Sequence, residues 1–303
     1  RRVTITDVSD YTRERFNAED ALTRCLVPYM YARNLDVHAE SFLNKYCPRA
    51  LDKPMPLPIN EILMAMGLTL YQAPLPDGIF GRTYFASADV EVYNRTHDVV
   101  KEKIEGGTIL VDPDVSFMRN IGSLNNTIIH ECVHCDKHHK FFKLQQILNP
   151  EYSSISCEVI EDYRKKPNDL TNELDWMEWQ ANALAPRILM PAKQARQKTE
   201  ELIRQNRRVL EDGNTAELMK AVIKQLSEFF GVSKLAAKIR MIDLGYMEAM
   251  GAYTYVDDRY IDNYSFSPET LKNGQTFSIG IRDAILEYAF NEEFKKLLDS
   301  GKY

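Results

Sequence analysis

Apolar positions change period along the first half of the chain. Between residues 12 and 47, Phe16, Ala21, Leu22, Cys25, Leu26 and Met30 recur at helical spacing, which predicts helix with a kink at Pro28. Ser41 to Tyr46 reads as a further short helix. The run Asp52-Lys53-Pro54-Met55-Pro56-Leu57-Pro58 predicts a connector, and Ile59 to Met66 a helix closed by Gly67. Strand patterns then take over at Leu68 to Tyr71, Arg82 to Phe85, Val90 to Tyr93 and Thr108 to Val111, with turns over Pro74 to Gly81 and at Gly106-Gly107. Thr108-Ile109-Leu110-Val111 is a nearly unbroken apolar run, the mark of a strand buried on both faces. The stretch around Ala86 to Tyr93 is then the expected open edge, able to accept an extended peptide.

The second half reads as mostly helical. One helix carries the stretch Asn126 to His134, with Ser123 or Asn125 as its N-cap, and ends between His139 and Leu148. Asn149 to Thr171 is polar and reads as an insertion. A helix from Asn172 runs to Met190-Pro191, bent by Pro186. Residues 193–247 are strongly helical, and the segment from Gly251 mixes strands, an Asn273-Gly274 turn and a terminal helix. No internal repeat is visible. This order predicts an α+β fold.

Chemistry concentrates at His130-Glu131-Cys132-Val133-His134. Residues four apart on a helix share a face, so both imidazoles can turn a nitrogen to one metal ion. Glu131 lies about 100° round the helix, beside the ion but free to act as a base on water. Catalytic zinc sites take three protein ligands and keep a fourth position open. The third ligand is not a histidine ten residues after the first, because that position is Lys140. His138 and His139 read as solvated helix-end residues, and His38 and His97 as surface or loop residues. Cys132 and Cys135 read as ordinary buried thiols, since Cys132 points away from both histidines. Among the acids of the later helix, Glu173 and Asp175 suit a helix N-terminus, whereas Glu178 sits in an apolar setting beside Trp176, Met177, Trp179 and Ala181. A carboxylate buried there needs either a metal or a basic side chain as its partner.

Composition narrows the classes. The chain has 303 residues with 44% hydrophobic and 27% charged, enough for one large domain or two ordinary ones. A net charge of −6 argues against a general nucleic-acid coat. Apolar runs stay well short of the roughly 18 residues that mark a membrane helix, so no membrane partner is expected. Arg1-Arg2-Val3-Thr4 lacks the apolar core of a secretory signal. An odd count of five scattered cysteines fits reduced thiols and a cytoplasmic setting.

Three segments together resemble the ImmA/IrrE-type metallo-endopeptidases. They are the helix with His130-Glu131-x-x-His134, the stretch Glu178-x-x-Ala181-Asn182-x-Leu184-Ala185 running into Ile188-Leu189-Met190-Pro191, and Phe230-Gly231-Val232-Ser233 followed by Ala236, Ala237, Arg240 and Leu244-Gly245. The chain departs from that family at Cys132-Val133, where Leu-Gly is usual, and at Pro186, where Ala is usual. The resemblance implies a zincin-like, gluzincin-type core over residues 1–192, a helical, helix-turn-helix-like extension over 193–247 and a mixed C-terminal segment over 248–303. It implies Zn2+ held by His130, His134 and Glu178, with Glu131 as the base, and a protein substrate of the helix-turn-helix repressor class. The competing reading takes Leu226 to Leu244 as a DNA-binding module, because residues 193–240 hold eleven Lys and Arg against six Asp and Glu. A third is a peptidase-like scaffold that binds a partner without cutting, its metal site structural or vestigial.

Overall fold

A computed structural model describes residues 26–28, 30–75, 79–93, 99–112, 121–148, 154–158, 173–208, 215–253, 255–256, 259–260 and 288–299. The fold is mixed α and β, mostly helical with a small sheet, and divides into two compact units, Arg1–Pro191 and Ala192–Tyr303. The helix expected over 12–47 is shorter. Residues 26–28 are not helical, and α1 covers Leu35–Tyr46, taking in the piece expected as a separate helix. Residues 12–25 lie outside the described residues. In α1, Leu35, Ala39, Phe42 and Leu43 are buried on one face.

Helix α2 (Ile59–Met66) ends at Gly67, whose φ of 68° is the left-handed conformation that a Cβ would strain. The N–H of Leu68 returns to the Leu63 carbonyl at 2.9 Å, closing the helix and turning the chain into β1 (Thr69–Gln72). β2 (Ile79–Tyr84), β5 (Thr108–Val111) and β6 (Ser154–Glu158) complete a four-stranded sheet in the order β1-β5-β2-β6. β1 and β5 are parallel, with Thr69 opposite Thr108, while β2 is antiparallel to both β5 and β6. All four residues of β5 are buried, as its apolar run requires.

Three expectations about this region need correction. Residues 88–93 do not form the edge of this sheet: β3 (Ala88–Tyr93) pairs with β4 (Val99–Ile104) as a separate hairpin, and the edges are β1 and β6. Val90, Val92 and Ile104 turn inward against Leu110 and Tyr84, so the hairpin is anchored by its own apolar face. Part of the polar stretch 149–171 is a strand, β6, rather than insertion. Gly81 lies inside β2, not in a turn.

Helix α3 (Ile121–Val133) packs on β2 and β5. It continues through a π-helical turn, His134–His138, into α4 (His139–Leu148). Because α3 already includes Ile121, Ser123 and Asn125 lie within the helix and do not cap it. Helix α5 (Glu173–Leu189) runs through Pro186 without ending there and packs against both α3 and α1. Its buried stripe is Met177, Ala181, Leu184, Ala185 and Ile188.

The second unit carries α6 (Ala192–Arg207), α7 (Thr215–Phe230) and α8 (Lys234–Asp243). Ser233 caps α8 by accepting the Ala236 N–H at 3.1 Å. Ser233→Ala is expected to cost about 1 kcal/mol, read as a lower denaturation midpoint of the full chain. Short strands β7 (Tyr255–Val256) and β8 (Arg259–Tyr260) and helix α9 (Glu292–Asp299) follow, and the Asn273-Gly274 turn lies outside the described residues. Among the described residues, no helix is long and apolar enough to cross a membrane.

Candidate metal centre

The packing of α5 on α3 brings three ligand-type side chains together. His130 and His134, one turn apart on α3 and the start of the π-turn, place their Nε2 atoms 2.9 Å from each other. Glu178 of α5 reaches them with Oε2 3.2 Å from His130 Nε2 and Oε1 3.3 Å from His134 Nε2. His130 and His134 are buried, and although the Glu178 side chain is 19% exposed, both of its carboxylate oxygens are buried as well. Ligand atoms on a tetrahedral zinc ion, with bonds of about 2.0–2.2 Å, stand about 3.3 Å apart. The two carboxylate–imidazole distances come close to that spacing, and the 2.9 Å between the two Nε2 atoms is shorter. The donor set, two imidazole nitrogens and one carboxylate, fits zinc and is unlike the all-oxygen shells of calcium or magnesium. A group able to hold a metal ion is therefore present.

Burial works against ionisation of Glu178, but His134 and His130 beside it outweigh that and hold its carboxyl well below the usual range. Glu131, fully buried, behaves oppositely: burial pushes its carboxyl up, although His130, His134 and the Thr83 hydroxyl pull the other way. The Thr83 hydroxyl donates to Glu131 Oε2 at 2.5 Å, whereas Oε1 is buried with no hydrogen-bond partner. Such an orphaned acceptor is costly unless something else occupies its side of the carboxylate. Gly81 makes room for it. A Cβ there would stand 2.8 Å from Thr127 Cγ2 and 2.9 Å from Glu131 Oε1.

Cys132 and Cys135 stand outside the metal group. Cys132 is wholly buried, and burial pushes both thiols up, that of Cys135 to about 12. Neither is a ready thiolate at neutral pH. Glu173 and Asp175 occupy the first turn of α5. His139 is exposed and His38 half-buried on α1, where burial and then Lys137 lower its pKa. His97 lies outside the described residues.

His138 is not the solvated helix-end residue its position suggests. It is fully buried, with Nδ1 2.9 Å from His134 Nδ1 and Nε2 3.0 Å from Gln180 Oε1. The π-turn accounts for this. Hydrogen bonds in it run from i to i+5, so each turn holds more residues than in an α-helix and residues four apart come closer to lying one above the other. Asp136 ties that turn to α1, accepting from Lys45 Nζ at 2.9 Å and the Tyr46 hydroxyl at 2.7 Å. Thr83, Gly81, His138 and Gln180 are thus site residues beyond the His-Glu-x-x-His pattern. Only Gly81 carried a sequence signal, an isolated glycine beside a strand pattern, which marks close approach of another group.

A scan against protein-family models finds no match to this chain, and a search of curated proteins finds none.

Proposed function

We propose that the chain is a zinc-dependent endopeptidase with a zincin-like, gluzincin-type core, similar to the ImmA/IrrE family. The observation that carries this reading is the buried Glu131 carboxylate, one oxygen pinned by Thr83 and the other unpartnered, next to the converging His130, His134 and Glu178. Those three residues would hold the ion. Zinc bound there supplies Lewis acidity, polarising a carbonyl and making water more acidic. Glu131 Oε1 takes a proton as the water oxygen bonds to the scissile carbonyl carbon, then delivers it to the amine as the C–N bond breaks. The hydrogen bond from Thr83 keeps the carboxylate from turning away between those two transfers.

The substrate class is a protein, with helix-turn-helix repressors the members that the resemblance implies. An extended peptide would add at the outer edge of β6, which lies at the sheet margin against α3. Treating the zinc-loaded protein with a chelator is expected to abolish cleavage of a mixed peptide library, and added zinc to restore it. Cleavage that ignores the chelator contradicts the proposal.

Gly81→Ala probes the base without touching a ligand. The added methyl has to displace Glu131 or Thr127, both buried. Turnover is expected to fall about 10²-fold, because misplacing a reacting group by about 1 Å costs that much. Zinc content measured on the same sample should be unchanged.

The DNA-binding alternative has less support. Arg240, one of the bases counted toward that reading, is 2% exposed and does not present its charge to solvent. The outer face of α8 instead presents Leu235 and Ile239. Lys198 pairs with Glu201 and Lys220 with Glu217, so these bases are matched by acids on their own helices. No mobility shift is expected with duplex DNA at physiological salt.

A further inference from the structure

The histidine that the metal reading leaves unused is the one whose protons can be assigned. His134, His138 and Gln180 are all buried, with exposures of 0%, 0% and 1%, and stand in a row. Gln180 Nε2 lies 2.7 Å from the Pro28 carbonyl oxygen. A carbonyl only accepts, so the amide NH2 faces Pro28 and the amide oxygen faces His138. That oxygen, 3.0 Å from His138 Nε2, also only accepts, so the His138 proton sits on Nε2. Its Nδ1 is then a lone pair, and the 2.9 Å contact between His138 Nδ1 and His134 Nδ1 needs one proton, which His134 supplies. His134 therefore carries hydrogen on Nδ1, so in the neutral ring Nε2 holds the lone pair; it faces His130 Nε2 at 2.9 Å and the Glu178 carboxylate at 3.3 Å, an acceptor that works against this tautomer until a cation lies between them.

We propose that His138 and Gln180 are positioning residues that hold a proton on His134 Nδ1, against the pull of Glu178 on the other nitrogen, and so keep Nε2 as the atom offered to an ion. The chain of bonds starts at a backbone carbonyl, whose acceptor character cannot change. It orients an amide, then one imidazole, then the ligand imidazole. Without it, the His134 ring is free to take either tautomer and to rotate, and a share of the apo molecules offers the ion a protonated nitrogen. Metal-ligating histidines usually direct their second ring N–H to a carboxylate, carbonyl or water. Here a neutral imidazole takes that part, and the π-turn is what brings it within reach. The inference rests on the proposed metal site for its purpose, but the tautomer itself exists without metal.

Nitrogen-15 NMR of the imidazoles tests it directly in metal-free wild-type protein at a pH where the rings are neutral. His134 is expected as a single Nδ1–H species and His138 as Nε2–H. The reverse assignment, or a mixture at His134, overturns the proposal whether or not zinc binds. His138→Leu is then expected to give a tautomer mixture at His134 and about 10–100-fold weaker zinc binding in a competition titration. His138→Asn, whose side-chain oxygen can accept the His134 proton, is expected to recover most of that affinity. Wild-type zinc affinity in His138→Leu, or equal losses in both variants, contradicts the positioning role. Absence of zinc binding by the wild type, with the tautomers as assigned, would instead count against the metal reading.

Discussion

Glu131→Gln will keep the metal and lose peptide hydrolysis. Gln matches Glu in shape, and its carbonyl oxygen can still accept from the Thr83 hydroxyl, so the site keeps its packing. It cannot take a proton from water at neutral pH. General-base assistance is worth about 10²–10⁴ in rate, and a loss of at least that size is expected in kcat, with bound zinc unchanged by elemental analysis. Folding should not suffer. Burial makes the charged form of Glu131 unfavourable, so an uncharged replacement removes a cost. The metal-free variant is expected to melt no lower than the metal-free wild type, the usual sign of a residue held for chemistry at the expense of stability. A Glu131→Gln protein that hydrolyses peptides at the wild-type rate would remove the residue from the mechanism.

His130→Ala and Glu178→Ala will each empty the site. Structural zinc sites bind with about 10–16 kcal/mol spread over four ligands, so one ligand accounts for about 3 kcal/mol, or over 100-fold in affinity. The two variants differ in what they leave behind. Without His130 the Glu178 carboxylate keeps only His134 at 3.3 Å. Without Glu178 the two imidazoles face each other at 2.9 Å with no anion between them. Both therefore lose metal, and neither is expected to bind a full equivalent after dialysis at micromolar zinc. Glu178→Ala retaining wild-type affinity would mean that another group completes the site.

How much of this was readable beforehand depended on whether local pattern or packing decided each element. The spacing of His130 and His134 is a property of one helical turn, and it brings the two Nε2 atoms together as that turn requires. The apolar run of β5 needed no context to announce burial on both faces. β6 was hidden because Ser154-Ile155-Ser156-Cys157-Glu158 is short and set in a polar stretch, and its register with β2 depends on partners far away in the chain. β4 was hidden by Lys101 and Lys103, which the hairpin carries on its open face, and by Glu102, which stands opposite Val90 on the other face and accepts from the Tyr71 hydroxyl at 2.9 Å. The π-turn had no residue signature at all. It is a change in hydrogen-bond register anchored by Lys45 and Tyr46 on another helix, and an ideal helix drawn through His138 misplaces that side chain. Arg240 misled for a related reason: basic composition suggests surface, but this side chain is taken into the packing of the second unit.

The central claim is that one zinc ion on His130, His134 and Glu178 makes this chain a peptidase. It is tested most directly by titrating zinc into metal-free protein while measuring bound metal and cleavage of a mixed peptide library on the same sample. The expected result is cleavage that rises in step with bound zinc and levels off at one equivalent per chain. A sample that binds its full equivalent and cleaves no peptide across the library would contradict the account.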